Sequence, residues 1–489
     1  MGGEELIPIF IYQELIGPYG QEVLRKLGEI EKFYQIYRRG ADFKTDEASE
    51  DYTPAKHRSR QIRTLIGKQA QFLFGKTPEH KISCPGEPSD PQKGKINESD
   101  MQEYVQKVLK ENLWSGKLIK GAKDCFIGGR VALKADIDET RLGLTFVPAD
   151  GFVYETNLDN VDKIERIVFF YTLVDNEERQ RQRIWVQKYW MEEGSCHYSE
   201  KTTDGNGKPI PGEPIVEDED TGLDRIPAYV IVNDGLSGDT DGESDVETIM
   251  DDDSWYSKMR SANLDSLRKS MNQVIWTSGV KPESFEKFTN APGSIWDIEA
   301  DPAQASASSN AAQVQVGTIS NSFSYTSAYD GTLGNLKQEM YDALGIPDIN
   351  LETMRSIITS GKAMKAIYWP LICRCEEKMT AWRPALEWLT ELILYAGEVF
   401  PSLRQRYGEF TPAEHIVSID NQYPLPEDEE SERTLDMQEV SSQNRSRKSY
   451  LMKWGGDGYR GMTAEQADKE LKQMALERQL LEDSFEGEI

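Results

Sequence analysis

Two long stretches of helical hydrophobic periodicity, separated by a segment of small residues, constrain this chain more than any other feature of its sequence. The first opens with Ser244-x-x-Glu247, a pattern in which a serine hydroxyl caps the free N–H groups of a helix start. It carries Val246, Ile249, Tyr256, Met259, Leu267, Met271 and Val274 before Gly279. That spacing predicts one helix across 244–279, about 33 helical residues that at 1.5 Å each make a rod roughly 50 Å long. The second stretch carries Tyr325, Tyr329, Leu333, Leu336, Met340 and Leu344 at steps of three or four and stops at Gly345-Ile346-Pro347-Asp348. Between them, Ala303 to Ala312 holds only small and polar side chains and cannot build a core of its own. A helical hairpin with a separate tip is expected. Its apolar stripes, with Met259, Leu267, Met271, Leu333, Leu336 and Met340, have too little core of their own to cover, so packing against neighbouring subunits is the expected way to bury them. The layout suggests the wall of a tube.

The remaining periodicities place this hairpin in an α+β chain. Helix spacing holds from Val23 to Ile36 and again from Arg58 to Phe74, and a further helix is expected from Asp100 to Ile127. From Arg130 to Ile231 the pattern turns to strands: Val131–Asp136, Leu142–Val147, Ile164–Leu173, Arg183–Trp190 and Ala228–Ile231 are short runs bounded by turn residues. After Thr411 come one strand-like piece, His415–Ile419, an acidic run at Glu427–Glu430, and a charged helix from Thr463 to about Asp483. At 489 residues the chain is long enough for several domains. Its most apolar stretches, Arg166–Val174 and Ala385–Ala396, are too short or too polar to span a bilayer, and no cleaved signal is read, so no membrane partner is expected.

Charge is the second constraint. Against 84 acidic residues stand 56 basic ones, a net charge of −28. A chain that gripped phosphate would need surplus Lys and Arg to displace counterions, so tight docking of nucleic acid is not expected. Two readings of the acid stand: a solubilising surface, or a wall that a nucleic acid slides past. The five cysteines, Cys84, Cys125, Cys196, Cys373 and Cys375, are odd in number and scattered, which argues for free thiols in a reduced cytosolic setting. None of the four histidines pairs at ligand spacing, so no metal and no cofactor are expected.

Three constellations invite chemistry. Ala70 to Thr77 ends like a phosphate-binding loop, but an alanine stands where the first glycine belongs, and Phe72, Leu73 and Phe74 occupy the place of bare amides. Asp136-x-Asp138-Glu139 could hold a divalent ion for nuclease chemistry, yet it lies between two strand-like runs where aspartate is a routine turn residue. Asp251-Asp252-Asp253 falls inside the first long helix, where successive side chains point about 100° apart and cannot share one ion, and reads as a solvated or subunit-facing band. No catalytic grouping is legible, and no enzyme is expected.

The order of segments resembles the portal proteins of tailed double-stranded-DNA bacteriophages, in particular the family typical of long-tailed phages of Gram-positive hosts. Phe72-Leu-Phe-Gly75-Lys-Thr-Pro78 is similar to that family's aromatic-leucine-phenylalanine-glycine-lysine-proline stretch, with Thr77 as an extra residue. Ile127-Gly-Gly-Arg130 resembles its helix into a glycine-marked strand, and Arg225-Ile-Pro227 followed by Val232-Asn233-Asp234 resembles the entry to its first stem helix. Gly345-Ile-Pro-Asp348 followed by Thr359-Ser-Gly361 resembles its turn, tunnel loop and long helix.

The resemblance implies a portal fold: an α/β wing at 1–243, stem helices at 244–279 and 321–346 around a clip at 280–320, a tunnel loop at 347–359, a kinked helix and return to the wing at 360–425, and a helical crown at 426–489. It implies DNA-facing positions Asp348, Asn350, Leu351, Glu352, Thr353, Met354, Arg355 and Ser356 in the tunnel loop. Kinks are implied at Pro370 and Pro384, where each proline removes a helical N–H. It further implies a ring of twelve at a unique capsid vertex of the virion, assembled in the host cytoplasm. Its implied partners are the terminase large subunit, a head-tail adaptor, the major capsid and scaffolding proteins, and weakly bound duplex DNA passing through the channel. The alternative is an acidic oligomeric helical scaffold that binds protein partners only; a nuclease using Asp136, Asp138 and Glu139 ranks below both.

Overall fold

The computed structural model describes residues 20–45, 48, 53–84, 91–157, 159–161, 163–173, 183–204, 208–236, 238–271, 274–278, 315–319, 324–349, 361–425, 429–456 and 461–486. The chain divides into two compact units, the first spanning 1–348 and 370–423 and the second 349–369 and 424–489. The α+β reading holds.

The first unit opens with helices α1 (Gly20–Arg39) and α2 (Gln61–Phe74), strand β1 (Glu79–Ser83), and helices α3 (Pro91–Glu111) and α4 (Trp114–Gly128). The single helix expected from Asp100 to Ile127 is instead two. The chain turns at Leu113, with φ +52°, because the buried Asn112 amide leaves the helix to serve the next strand. Its Nδ2 donates to Val108 and Leu142 carbonyls and its Oδ1 accepts from Leu144 N, at 2.8–3.0 Å. Strands β2 (Arg130–Ile137), β3 (Leu142–Pro148) and β9 (Ala228–Val232) form a sheet in the order β3-β2-β9. Strands β4 (Phe152–Thr156), β5 (Ile164–Leu173), β6 (Arg183–Glu192), β7 (Ser195–Asp204) and β8 (Ile215–Asp220) form an antiparallel meander in chain order. Phe152, Ile167, Phe169, Tyr189, Cys196, Leu223 and Ile226 pack its buried face.

β7 and β8 lie outside the runs read from the sequence because apolar alternation is missing. β8 is Ile-Val-Glu-Asp-Glu-Asp and exposed along most of its length, an edge strand that its own charge guards against pairing with other chains. Strand β12 (Ile416–Asp420) pairs antiparallel with β1, so the chain returns to the first half near its end. Helix α8 (Trp369–Val399) supplies the centre of the core: Trp382 is 1% exposed and meets Phe74 edge-on at 4.9 Å and Phe146 at 5.7 Å. The short helix α9 (Pro401–Tyr407) follows it.

The phosphate-loop look-alike is part of this core. Ala70, Phe72, Leu73 and Phe74 are buried on α2, which leaves no amide cradle. Asp138 accepts from Thr140 N, Thr140 Oγ1 and Arg141 N at 2.7–2.8 Å and caps the β2–β3 turn, while Asp136 pairs with Lys134 at 2.7 Å. The pair of carboxylates is occupied by turn and sheet.

One buried carboxyl carries a pH signature. Asp124 on α4 is pushed up to about 6, by burial first and then by the neighbouring charge of Asp150, itself raised by burial. An unfolded aspartate ionises near pH 4, so the contribution of this group is fully present below that value and is lost as pH rises to about 6. Asp124→Asn is therefore expected to stabilise the protein at pH 7 relative to pH 4.5, on the order of 2 kcal/mol after allowance for its solvent-facing edge. Urea denaturation at the two pH values measures it. A difference between variant and parent that is the same at both would show that Asp124 does not carry the effect.

In the second unit, helices α7 (Gly361–Ile367), α10 (Glu429–Ser441), α11 (Arg447–Trp454) and α12 (Ala464–Glu486) are described. Asp436 of α10 accepts from Trp454 Nε1 at 2.5 Å and pairs with Lys453 at 3.0 Å, and Lys448 pairs with Asp468 at 2.7 Å. The sequence reading contained only α12 of the last three helices. The kinked helix expected after Gly361 is two helices, α7 and α8, which part at Tyr368, two residues before the implied kink at Pro370. Pro370 stands in the first turn of α8, where its missing N–H costs nothing, and Pro384 lies inside the helix.

Candidate functional site: a helical hairpin and its anchor

Helix α5 (Asp245–Met271) begins where the first periodicity predicts but ends eight residues before Gly279. The expected helix across 244–279 is corrected: Val274–Ser278 is strand β10, paired antiparallel with β11 (Gln315–Ile319). The physical reason is local. Val274-Ile275-Trp276-Thr277 is a β-branched and aromatic run, which suits a ribbon better than the last turns of a helix. At 27 residues α5 is about 40 Å long. Helix α6 (Thr326–Ala343) packs on it in the opposite direction: Tyr325 Oη donates to Asn263 near the far end, and Asp252 and Glu339 sit close enough near the base that Glu339 helps to raise the Asp252 carboxyl, after burial. The expected helical hairpin is present, with a shorter first arm and a two-stranded ribbon beyond it.

The start of α5 is fixed by close backbone contact. Gly129 has φ +75°, and a Cβ at Gly242 would lie 2.0 Å from the Asn233 carbonyl, so the strand end at 233 and the approach to the helix can stack only without side chains. Ser244 then caps the helix, its Oγ accepting from Val246 N at 3.1 Å and Glu247 N at 3.4 Å while donating to Ile127 O at 2.6 Å. Behind the cap lies a buried ionic knot. Lys378 Nζ donates to Asn233 Oδ1 at 2.6 Å and pairs with Asp245 at 3.1 Å and Asp234 at 3.3 Å; Arg374 Nη2 reaches the same two carboxylates at 3.0 and 2.8 Å. The Lys378 and Asp245 side chains are each 1% exposed. Two cations and two anions balance, and they bolt α8 to the first turn of α5.

One row of polar side chains on α5 is covered by the chain itself, while Asp251, Lys258 and Arg268 are exposed. Ser257, Ser261 and Asp265, four residues apart, accept from Ser59 N, His57 N and Ala55 N at 2.9 Å each. Four helical residues rise about 6.0 Å and two extended residues about 6.6 Å, so the strap 55–59 keeps step with the helix. Asp253 continues the row, accepting from Ala41 N and the Ser59 hydroxyl. It is 1% exposed and burial holds its carboxyl above the usual range. The acidic band read at Asp251–Asp253 is thus corrected for Asp253: it is an internal acceptor.

Exposure divides the predicted packing residues. Met340 is 0% exposed and belongs to the chain's own core, together with Tyr341 and Leu344. Met259, Leu333 and Leu336 are half-buried in the hairpin. Leu267 and Met271, 41% and 84% exposed, remain uncovered in the single chain, and so do Trp255 and Leu264, which the sequence reading left out. Of the predicted tunnel-loop residues, Asp348 is tied to Lys337 of α6 at 2.5 Å, a bond that raises the lysine, whereas Asn350, Leu351, Glu352, Thr353, Met354, Arg355 and Ser356 lie outside the described residues, as does most of the predicted clip.

All five cysteines are free thiols, and no described helix is long and apolar enough to cross a membrane. No curated protein sequence matches the chain. The family described as phage portal protein, SPP1 Gp6-like, matches residues 18–479. It is a structural, non-enzymatic family of the virion capsid. The match spans sheets, knot, hairpin and tail alike, and the chain therefore belongs to the phage portal protein family, SPP1 Gp6-like.

Proposed function

We propose that this chain is a head-tail connector that assembles as a ring of twelve at one capsid vertex. The ring is the channel through which the terminase motor packages double-stranded DNA and through which DNA leaves. The hairpin α5–α6 is the stem, the β10–β11 ribbon leads into the clip, the sheets and α1–α4 form the wing, and α10–α12 form the crown. The residues from Pro347 to Thr359 act as the tunnel loop, and α8 as the helix that carries it.

One observation carries this reading beyond family membership: on the outer half of the stem, Leu264, Leu267 and Met271 stand uncovered on a single chain, and Trp255 stands uncovered on another side of the helix nearer its start. Neighbouring subunits cover them in a ring. Twelve chains carry 12 × −28 = −336 charges, so DNA slides rather than docks. The adaptor, terminase large subunit, major capsid and scaffolding proteins meet the ring at its exposed ends. Negative-stain imaging of the purified chain is expected to give channelled rings near twelve-fold. A variant lacking Asn350 to Ser356 is expected to keep the ring and lose DNA retention in assembled heads. A purified chain that native mass spectrometry finds monomeric at every concentration would defeat the proposal, and so would wild-type packaging by the deletion variant defeat the loop assignment.

A further inference from the structure

Three adjacent strands of the five-stranded sheet bring an imidazole and two carboxylates together on one face. His197 in β7 stands opposite Trp190 in β6 and Asp220 in β8. Side chains two residues apart on a strand share a face, so Glu192 and Asp218 fall on the His197 side. The Glu193-Gly194 hairpin, with φ +49° and +90°, returns the chain directly after Glu192, and a register shift between Tyr198 and Glu200 lets β8 lean across. One ligand atom from each of Glu192, His197 and Asp218 lies within 4.8 Å of the other two. His197 Nδ1 is already 2.8 Å from Asp218 Oδ1.

We propose that Glu192, His197 and Asp218 form a site for one divalent transition-metal ion of the zinc class. Around such an ion, nitrogen and oxygen ligands at about 2.0–2.2 Å stand roughly 3.4 Å apart when tetrahedral. To reach that spacing the 2.8 Å pair of His197 and Asp218 opens slightly to admit the ion and the Glu192 carboxylate moves in; both carboxylates are exposed. The imidazole sets the class of ion. Calcium and magnesium prefer all-oxygen shells, whereas an imidazole with two carboxylates suits zinc, cobalt, nickel or manganese. Outer contacts already orient the set: the Trp190 indole stacks on the His197 ring at 5.8 Å, and its Nε1 donates to Glu192 Oε2 at 3.1 Å, leaving the other carboxylate oxygen for the ion. Three protein ligands leave a position for water or for a donor from another chain. In the single chain the ion ties the acidic edge strand β8 to the two strands inside it.

The test uses the full chain, stripped with chelator, with the exposed thiol removed by Cys373→Ser so that it cannot compete for the ion. Calorimetric titration with zinc chloride is expected to show one ion per chain. His197→Gln and Asp218→Asn, surface changes that should leave the circular dichroism spectrum intact, are each expected to weaken binding at least tenfold, whereas Trp190→Phe keeps most of it. Zinc binding that His197→Gln does not change, or no saturable binding at all, overturns the proposal. Equal affinity for magnesium would overturn the role given to the imidazole. Because the readout is binding to the chain itself, it stands or falls separately from ring assembly.

Discussion

Replacing Lys378 with methionine is expected to lower the stability of the first unit by about 3–5 kcal/mol, the usual cost of stripping one partner from a buried ion pair. The Asp245 carboxylate it faces is 1% exposed and cannot recover hydration, and Arg374, the remaining cation, already serves both Asp245 and Asp234. The lost cation–π contact with Phe126, at 4.4 Å, adds to the deficit. In a unit of this size the loss corresponds to a fall in melting temperature of about 5 °C. The double variant Lys378→Met with Asp245→Asn removes both charges and is expected to recover most of it, because an apolar replacement of a buried pair is often close to neutral. Thermal melts of the three proteins by circular dichroism decide the matter. A single variant within about 1 kcal/mol of the parent would mean that water reaches the knot and screens it.

Leu267→Asp is expected to abolish ring assembly while leaving the single chain folded. In the isolated chain Leu267 is 41% exposed, so the charge meets water there and costs little, within about 0.5 kcal/mol. In a ring the same carboxylate would be buried without a partner, at several kcal/mol per subunit interface, and the cost recurs at each of the interfaces. Met340→Asp provides the contrast: at 0% exposure it places the charge in the chain's own core and is expected to unfold the hairpin. Size-exclusion chromatography with light scattering, together with circular dichroism, separates the two outcomes. Rings formed by Leu267→Asp at wild-type yield would remove this face from the subunit interface.

The same pair of residues shows what periodicity can and cannot tell. Leu267 and Met340 sit on equally regular stripes, and both were predicted to pack between subunits. The stripe says that a side chain faces away from water in some assembly, but not whether its cover comes from the same chain. That is settled by where the hairpin meets the rest of the first unit: α6 is buried at its C-terminal end and open at Tyr325.

Local rules carried the sequence reading where one element answers to its own residues. Helix spacing found α1, α2, α6 and most of α5, short runs bounded by turn residues found β2, β3, β5, β6 and β9, and Ser244-x-x-Glu247 placed the start of α5 at the residue where the cap forms. Resemblance in the order of segments pointed to the portal family, to which the chain belongs. What the sequence could not reveal depends on partners distant along the chain. The strap 55–59 meets α5 some 200 residues later, and Asn233 and Asp234 meet Lys378 more than 140 residues on. Those polar side chains look solvated in any local window, because burial of a polar group is licensed only by the partner that satisfies it. Strands β7 and β8 lacked apolar alternation, since their pairing is held by the backbone and by cross-strand polar contacts. The meeting of Glu192, His197 and Asp218 follows from that pairing register alone, a quantity that no spacing of residues along a single strand contains.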